Sequence, residues 1–260
     1  MLVHLQDISK SYGGEAVLEG VSLQIENRDR VGLVGPNGCG KTTLLKLIAG
    51  QLEADRGHLT TRSGLTLASI PQIPELSGDT TVVDETLSVF RSLLETEREL
   101  GRLRERLSEA KEGENLRLSE HYADLQTHFE HMGGYDYPAR TEAVLMGTGF
   151  SRQELHQPCG TLSGGQVRRL VLAQALLKPA QLILLDEPFA AVDPHTVEDV
   201  QSEVRKLADS GIAVLVTDHA VQQALHICDR AYIIDCGKNL MDGDPKAIIN
   251  DGVVRKHYLA

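Results

Sequence analysis

Apolar residues in this chain come in short runs of two kinds. Between Leu2 and Ile25 they alternate with polar ones around a turn at Gly13-Gly14, which predicts antiparallel strands. His58–Arg62 and Leu65–Ile70 read as continuing that sheet. Elsewhere the runs are continuous. Val31-Gly32-Leu33-Val34, Leu182-Ile183-Leu184-Leu185, Val214-Leu215-Val216 and Tyr232-Ile233-Ile234 read as core strands, buried on both faces as in parallel sheets. Helical segments lie between them: Leu44–Ile48, the stretch from Ser163 to Leu177, Thr196–Leu207 and Val221–Ile227. Pro245–Ile249 and the tail to Ala260 read as helical or irregular. The pattern predicts an α/β chain with an antiparallel section ahead of its core.

The middle follows a third period. Leu93, Leu100, Leu103 and Leu107 share one helical face, and Leu118, Tyr122, Leu125, Phe129 and Met132 repeat at 4-3-4-3 spacing. With a turn at Lys111–Asn115, this predicts an antiparallel helical hairpin within residues 93–132. Arg98, Arg102 and Arg106 line up along the first helix. Five acids lie among them (Glu95, Glu97, Glu99, Glu105, Glu109), so a solvated face is expected rather than a phosphate-binding one.

Composition narrows the class. A length of 260 residues suffices for one large domain or two small ones, and 41% hydrophobic content excludes a disordered chain. No apolar run approaches the roughly 18 residues of a membrane helix. Met1–Asp7 lacks a signal peptide's basic flank and long apolar stretch. The expectation is a cytoplasmic protein, soluble or peripheral at the inner face of the membrane through a partner. Cys39, Cys159, Cys228 and Cys236 form no metal-ligand spacing, as expected of reduced thiols. A net charge of −11 argues against a broad nucleic-acid surface, and no DNA partner is expected.

The chemistry is concentrated in Gly35-Pro36-Asn37-Gly38-Cys39-Gly40-Lys41-Thr42-Thr43, a G-x-x-x-x-G-K-[ST] loop between an apolar strand and a helix. There backbone N–H groups and a helix N-terminus can surround a polyphosphate. Lys41 would reach its terminal phosphates and the Thr42 hydroxyl would hold Mg²⁺. Cys39 lies beside Lys41 and a helix N-terminus, so a lowered thiol pKa is expected, with alkylation blocking nucleotide binding. The strand Leu182–Leu185 runs into Asp186 and Glu187, at the end where such sheets bind ligands. Asp186 is placed to hold Mg²⁺ through water, and Glu187 to polarise the water attacking the γ-phosphate. A second anion-binding helix start appears at Ser163-Gly164-Gly165-Gln166, with Ser163 as N-cap. It makes sense if it binds the ATP held by another copy.

The phosphate loop, Gln72, Leu162–Gln166, Leu182–Glu187, Asp193 and His219 occur in the order of an ATP-binding cassette (ABC) ATPase, and the resemblance covers nearly the whole chain. It implies a P-loop NTPase cassette with a RecA-like core, an antiparallel β subdomain and an enlarged α-helical subdomain. The cassette would fill residues 1–240, with the helical part at about 84–160 and a tail at 241–260. By the same resemblance Tyr12 stacks on adenine, Gln72 senses Mg²⁺ and the γ-phosphate, and Ser163, Gly164 and Gly165 clamp a partner's γ-phosphate. Asp193 contacts the dimer partner, and His219 contacts the γ-phosphate and orients Glu187.

The likeness then divides. Residues 2–150 resemble the first cassette of an ABC-F protein, the soluble class acting on ribosomes, through the hairpin and Gly133-Gly134-Tyr135-Asp136-Tyr137. ABC-F chains carry two cassettes, however, with P-T-N-H-L-D where this one has Pro188-Phe189-Ala190-Ala191-Val192-Asp193. From Leu162 onward the chain is similar to the lipopolysaccharide-export and branched-chain amino-acid transporter ATPases. The resemblance therefore implies a Mg·ATP-hydrolysing subunit that dimerises head-to-tail and drives a transmembrane partner. A ribosome-associated ATPase and a chimeric chain with uncoupled ATPase are the alternatives.

Overall fold

A computed structural model of the chain describes residues 1–70, 76–109, 115–189 and 194–258. In chain order its elements are β1 (Val3–Tyr12), β2 (Glu15–Ile25), β3 (Arg30–Val34), α1 (Lys41–Ile48), β4 (Arg56–Thr61), β5 (Leu67–Ile70), α2 (Val82–Leu87), α3 (Arg91–Glu109), α4 (Asn115–His131), α5 (Tyr137–Gly147), α6 (Gly164–Leu177), β6 (Leu182–Asp186), α7 (Pro194–Asp209), β7 (Ala213–Asp218), α8 (Val221–Leu225), β8 (Arg230–Asp235), β9 (Lys238–Gly243), α9 (Pro245–Asn250) and α10 (Gly252–Tyr258). They group into two compact units, Met1–Glu75 with Leu162–Ala260, and Leu76–Thr161.

In the larger unit, the alternating N-terminal segment joins β4 in a three-stranded antiparallel sheet of order β2-β1-β4. Gly13 and Gly14, with φ of 59° and 90°, make its turn. The continuous apolar runs build a six-stranded sheet, β5-β6-β7-β3-β8-β9, parallel except for the edge strand β9. Successive side chains of a strand point to opposite faces, and here both faces are covered. Ile183, Leu185, Val214, Val216 and Ile233 pack in one core with residues of α6, α7 and α8. Leu182, Leu184, Leu215, Tyr232 and Ile234 pack in the other with α1 and the antiparallel sheet.

Two strands depart from expectation. Leu67–Ile70 pairs in parallel with Leu182–Leu185 as a member of the core sheet, not of the antiparallel one. A short apolar run fits either sheet, and only the partner strand decides. Lys238–Gly243 pairs with β8 although four of its six residues are not apolar. Its polar sequence suits a solvated edge and carries no strand period.

The smaller unit contains the helical hairpin. α3 packs against α4, with Leu93, Phe129 and Tyr137 buried together and Leu87, Phe90, Leu94 and Leu100 against them. The turn expected at Lys111–Asn115 falls, but for Asn115, outside the described residues. Arg98, Arg102 and Arg106 are exposed, as are the acids interleaved with them. The Tyr137 hydroxyl donates to Glu97 Oε2 at 2.6 Å, and burial with that carboxylate pushes its pKa up to about 12.

Candidate active site

In a parallel sheet the carboxyl ends of neighbouring strands open side by side, and the register here brings three loops together. Val34 lies opposite Asp218, and Asp186 opposite Thr217. The segments after β3, β6 and β7 therefore meet at one edge.

At Gly35 and Gly40 the loop after β3 is packed so closely on its neighbours that a side chain is excluded. A Cβ on Gly35 would stand 2.0 Å from the Ile234 carbonyl oxygen. One on Gly40, where φ is 102°, would stand 2.5 Å from Leu18 Cδ2. Pro36, Asn37 and Gly38 form the exposed outer part. Gly40 caps α1 with no side-chain hydrogen bond, and the first turn (Lys41, Thr42, Thr43) holds no acid. The N-terminal amides and the positive end of the helix dipole are thus directed at the loop, the arrangement that attracts an anion. The Lys41 ammonium is buried, donates to the carbonyls of Gly35 (2.9 Å) and Pro36 (3.0 Å), and stands 3.6 Å from Glu187 Oε1.

Asp186 is bound through both oxygens. The Thr42 hydroxyl donates to Oδ2 at 2.9 Å, and the buried Thr217 hydroxyl to Oδ1 at 2.7 Å. Glu187 follows in a left-handed backbone conformation, φ 48°, and its N–H donates to the Thr217 carbonyl at 2.9 Å. Its carboxylate faces Lys41 on one side and His219 Nδ1, 3.5 Å away, on the other. The same Nδ1 is 3.4 Å from Asp218 Oδ1. Asp218 is fully buried and accepts from the amides of Ala220 (2.7 Å) and Phe189 (3.2 Å). Burial pushes its carboxyl above the usual range, against those two bonds and the nearby imidazole.

Ser163 and Gln166 form a reciprocal capping box at the start of α6. Ser163 Oγ accepts from the Gln166 amide, which leaves its own proton free to be donated outward. A Cβ on Gly164 would meet nothing within 4 Å. Packing among the described residues therefore does not demand glycine there. Tyr12 stands 47% exposed at the end of β1, with the Lys10 ammonium 5.9 Å from its ring. Gln72 and Asp193 lie outside the described residues.

Cys39 corrects an expectation. The residue is 6% exposed, and burial pushes the thiol pKa up, outweighing the charge of Lys41 that opposes it. Proximity to a cation lowers a thiol pKa only where the thiolate keeps some solvation. Cys236 is exposed and should alkylate well before Cys39 in the native protein, as read by peptide mass spectrometry over time. Cys39 labelling at the rate of Cys236 would contradict the buried placement.

Thr217, Asp218 and Arg168 belong to the site although sequence reasoning gave them no role. The hydroxyl and carboxylate directly beyond the apolar run of β7 were the available signal. Arg168 left none, because its partners are backbone carbonyls.

A glycine loop wrapped on an ammonium, next to a strand ending in two carboxylates, defines a P-loop nucleoside triphosphate hydrolase. The chain matches the family described as "ABC transporter" over residues 18–190. It is 36% identical to a probable ABC transporter ATP-binding protein of Azorhizobium caulinodans, covering 97% of this chain and 80% of that one. It is 35% identical to the lipopolysaccharide export system ATP-binding protein LptB of Acidithiobacillus ferridurans, covering 99% and 96%. The fold superimposes on a nucleotide-free ATP-binding cassette from an ABC transporter with a TM-score of 0.71, at 24% identity and over 100% and 99% of the two chains. The chain belongs to the ABC transporter family, as an ATP-binding and ATP-hydrolysing cassette. The alignment to LptB covers 99% of the chain, residues 2–150 included, so the ABC-F likeness of that segment, and the mosaic built on it, gain no support.

Proposed function

We propose that this cassette binds Mg·ATP, closes head-to-tail on a second copy, and energises a separate transmembrane transporter subunit from the cytoplasmic face. The single observation that carries the reading is the convergence of Lys41, the Thr42–Asp186 pair and the Glu187–His219 pair on one loop. Gly35, Asn37, Gly38, Cys39, Gly40 and Thr43 shape the phosphate cradle, and Lys41 neutralises the β- and γ-phosphates. Thr42 and Asp186 offer the hard oxygen ligands that Mg²⁺ takes, with Gln72 as a further one. The ion would supply charge neutralisation between the phosphates. Glu187 orients and polarises the attacking water, and His219 steadies Glu187. Phosphoryl transfer asks for little beyond such positioning and charge stabilisation.

The helix start at Ser163–Gln166 seals the nucleotide held by the other copy. Gly164 supports this, since the fold around it leaves open space. Tyr12 contacts adenine and Asp193 the partner. Gly164→Arg should leave the melting temperature within about 2 °C of wild type, as for an unhindered surface change. The monomer should still bind ATP, while ATP-dependent dimers disappear from sedimentation velocity. Dimers of normal stability in that variant would remove α6 from the composite site.

The transmembrane partner is inferred from relatives named as export-system and ABC transporter ATP-binding proteins. Among the described residues no helix is long and apolar enough to cross a membrane, so anchoring would come from that partner. The experiment is fractionation of cells producing the tagged protein. Recovery with membranes and with one multi-span protein is expected; sedimentation with ribosomes would instead favour the ABC-F alternative.

A further inference from the structure

We infer that Arg168 is a positioning residue for ATP hydrolysis, holding the backbone of Glu187 in the one conformation that aims its carboxylate into the site. The inference rests on the role proposed above for Glu187.

Glu187 occupies the left-handed region at φ 48°, where non-glycine residues are uncommon. It also precedes Pro188, and a residue before proline is pushed towards extended backbone. Left alone, this peptide would relax to an extended form, turning the carboxylate away from Lys41 and His219. Two clamps oppose that. On the amino side, the Glu187 N–H donates to the carbonyl (2.9 Å) and hydroxyl (3.3 Å) of Thr217. On the carboxyl side, one terminal nitrogen of Arg168 donates to the carbonyls of Glu187 (3.1 Å) and Pro188 (2.9 Å). Pro188 has no N–H to offer, so its carbonyl is the only backbone polar group through which it can be tied down. The next amide, of Phe189, donates to Asp218.

The guanidinium is suited to this task. It reaches from the second turn of α6, a helix anchored by buried Leu170, Val171, Leu172 and Ala173. Burial pulls its pKa down, while the charges of Asp218 and Glu187 oppose that shift. Its donors lie in a fixed planar fork. No atom of Arg168 need touch nucleotide; it acts through the geometry of Glu187.

The test compares Arg168→Met, Arg168→Lys and Glu187→Gln in the full chain, measuring kcat, KM, equilibrium ATP affinity and melting temperature. Displacing a reacting group by about 1 Å can cost on the order of 10²-fold. Arg168→Met should therefore lower kcat about 10- to 100-fold while ATP affinity stays within about 3-fold. Arg168→Lys keeps a positive donor at the tip and should recover most of the rate. If kcat is unchanged in Arg168→Met, or falls in step with ATP affinity and melting temperature, the inference is overturned. A lysine variant no faster than the methionine one overturns it too. Turnover surviving in Glu187→Gln would sink the underlying assignment instead, and the two failures are separately visible.

Discussion

Glu187→Gln should lower steady-state ATP hydrolysis by about 10²–10⁴-fold, the range that a positioned acid–base group contributes. ATP binding should persist, and ATP-bound dimers should accumulate. The reason is geometric. The carboxylate sits 3.6 Å from the Lys41 ammonium and 3.5 Å from His219 Nδ1, held there by its left-handed backbone. Glutamine fills the same space, keeps one acceptor and disturbs neither the loop nor the Thr42–Asp186 pair, so affinity should stay close to wild type. Phosphate release and gel filtration with ATP are the measurements. Unchanged phosphate release would remove Glu187 from its role.

Gly35→Ala should be the most damaging single methyl in the phosphate loop. Its Cβ would stand 2.0 Å from the Ile234 carbonyl oxygen and 2.9 Å from Cys39 Sγ. The first of these is backbone of the interior strand β8, which cannot step aside without disturbing its register on β3. Overpacking of this kind costs about 1–3 kcal/mol or more. At roughly 2–4 °C per kcal/mol for a chain of this size, the melting temperature should fall on the order of 5–10 °C. The Gly35 carbonyl also accepts from Lys41, so ATP affinity should drop at least about 10-fold. Gly38→Ala is the control: φ is 82°, but nothing lies within 4 Å of the new Cβ. It should cost about 1–2 kcal/mol through the backbone alone. Equal melting temperatures for Gly35→Ala and wild type would mean that the loop is not pressed on β8 as described.

Most of this site was legible in the sequence because its chemistry is local. Lys41 and Thr42 follow their glycines directly, and Asp186 and Glu187 follow their apolar strand. Ser163 and Gln166 satisfy each other across three residues, so a capping box can be read off four letters. The helical hairpin was legible for the same reason, since its period repeats within each helix. The N-terminal likeness to ribosome-acting cassettes gains no support from the relatives, and a hairpin is a shape that different branches can share. Alignment of export-type relatives along both halves carries more weight.

What the sequence by itself determined was therefore the set of chemical groups and the local frames that present them: strand, glycine loop, helix start, acid pair. Tertiary structure decided which distant pieces meet. It put Leu67–Ile70 beside Leu182 rather than in the antiparallel sheet, and recruited polar Lys238–Gly243 as an edge strand. It also inverted the expected shift at Cys39, because burial outweighs a neighbouring charge. The same holds for Thr217, Asp218 and Arg168, whose work is to bind a carboxylate and backbone atoms of a segment that is remote in sequence. Side-chain to backbone bonds across such separations leave no period or spacing in one chain. They exist only once the sheet has closed and its strand ends stand side by side.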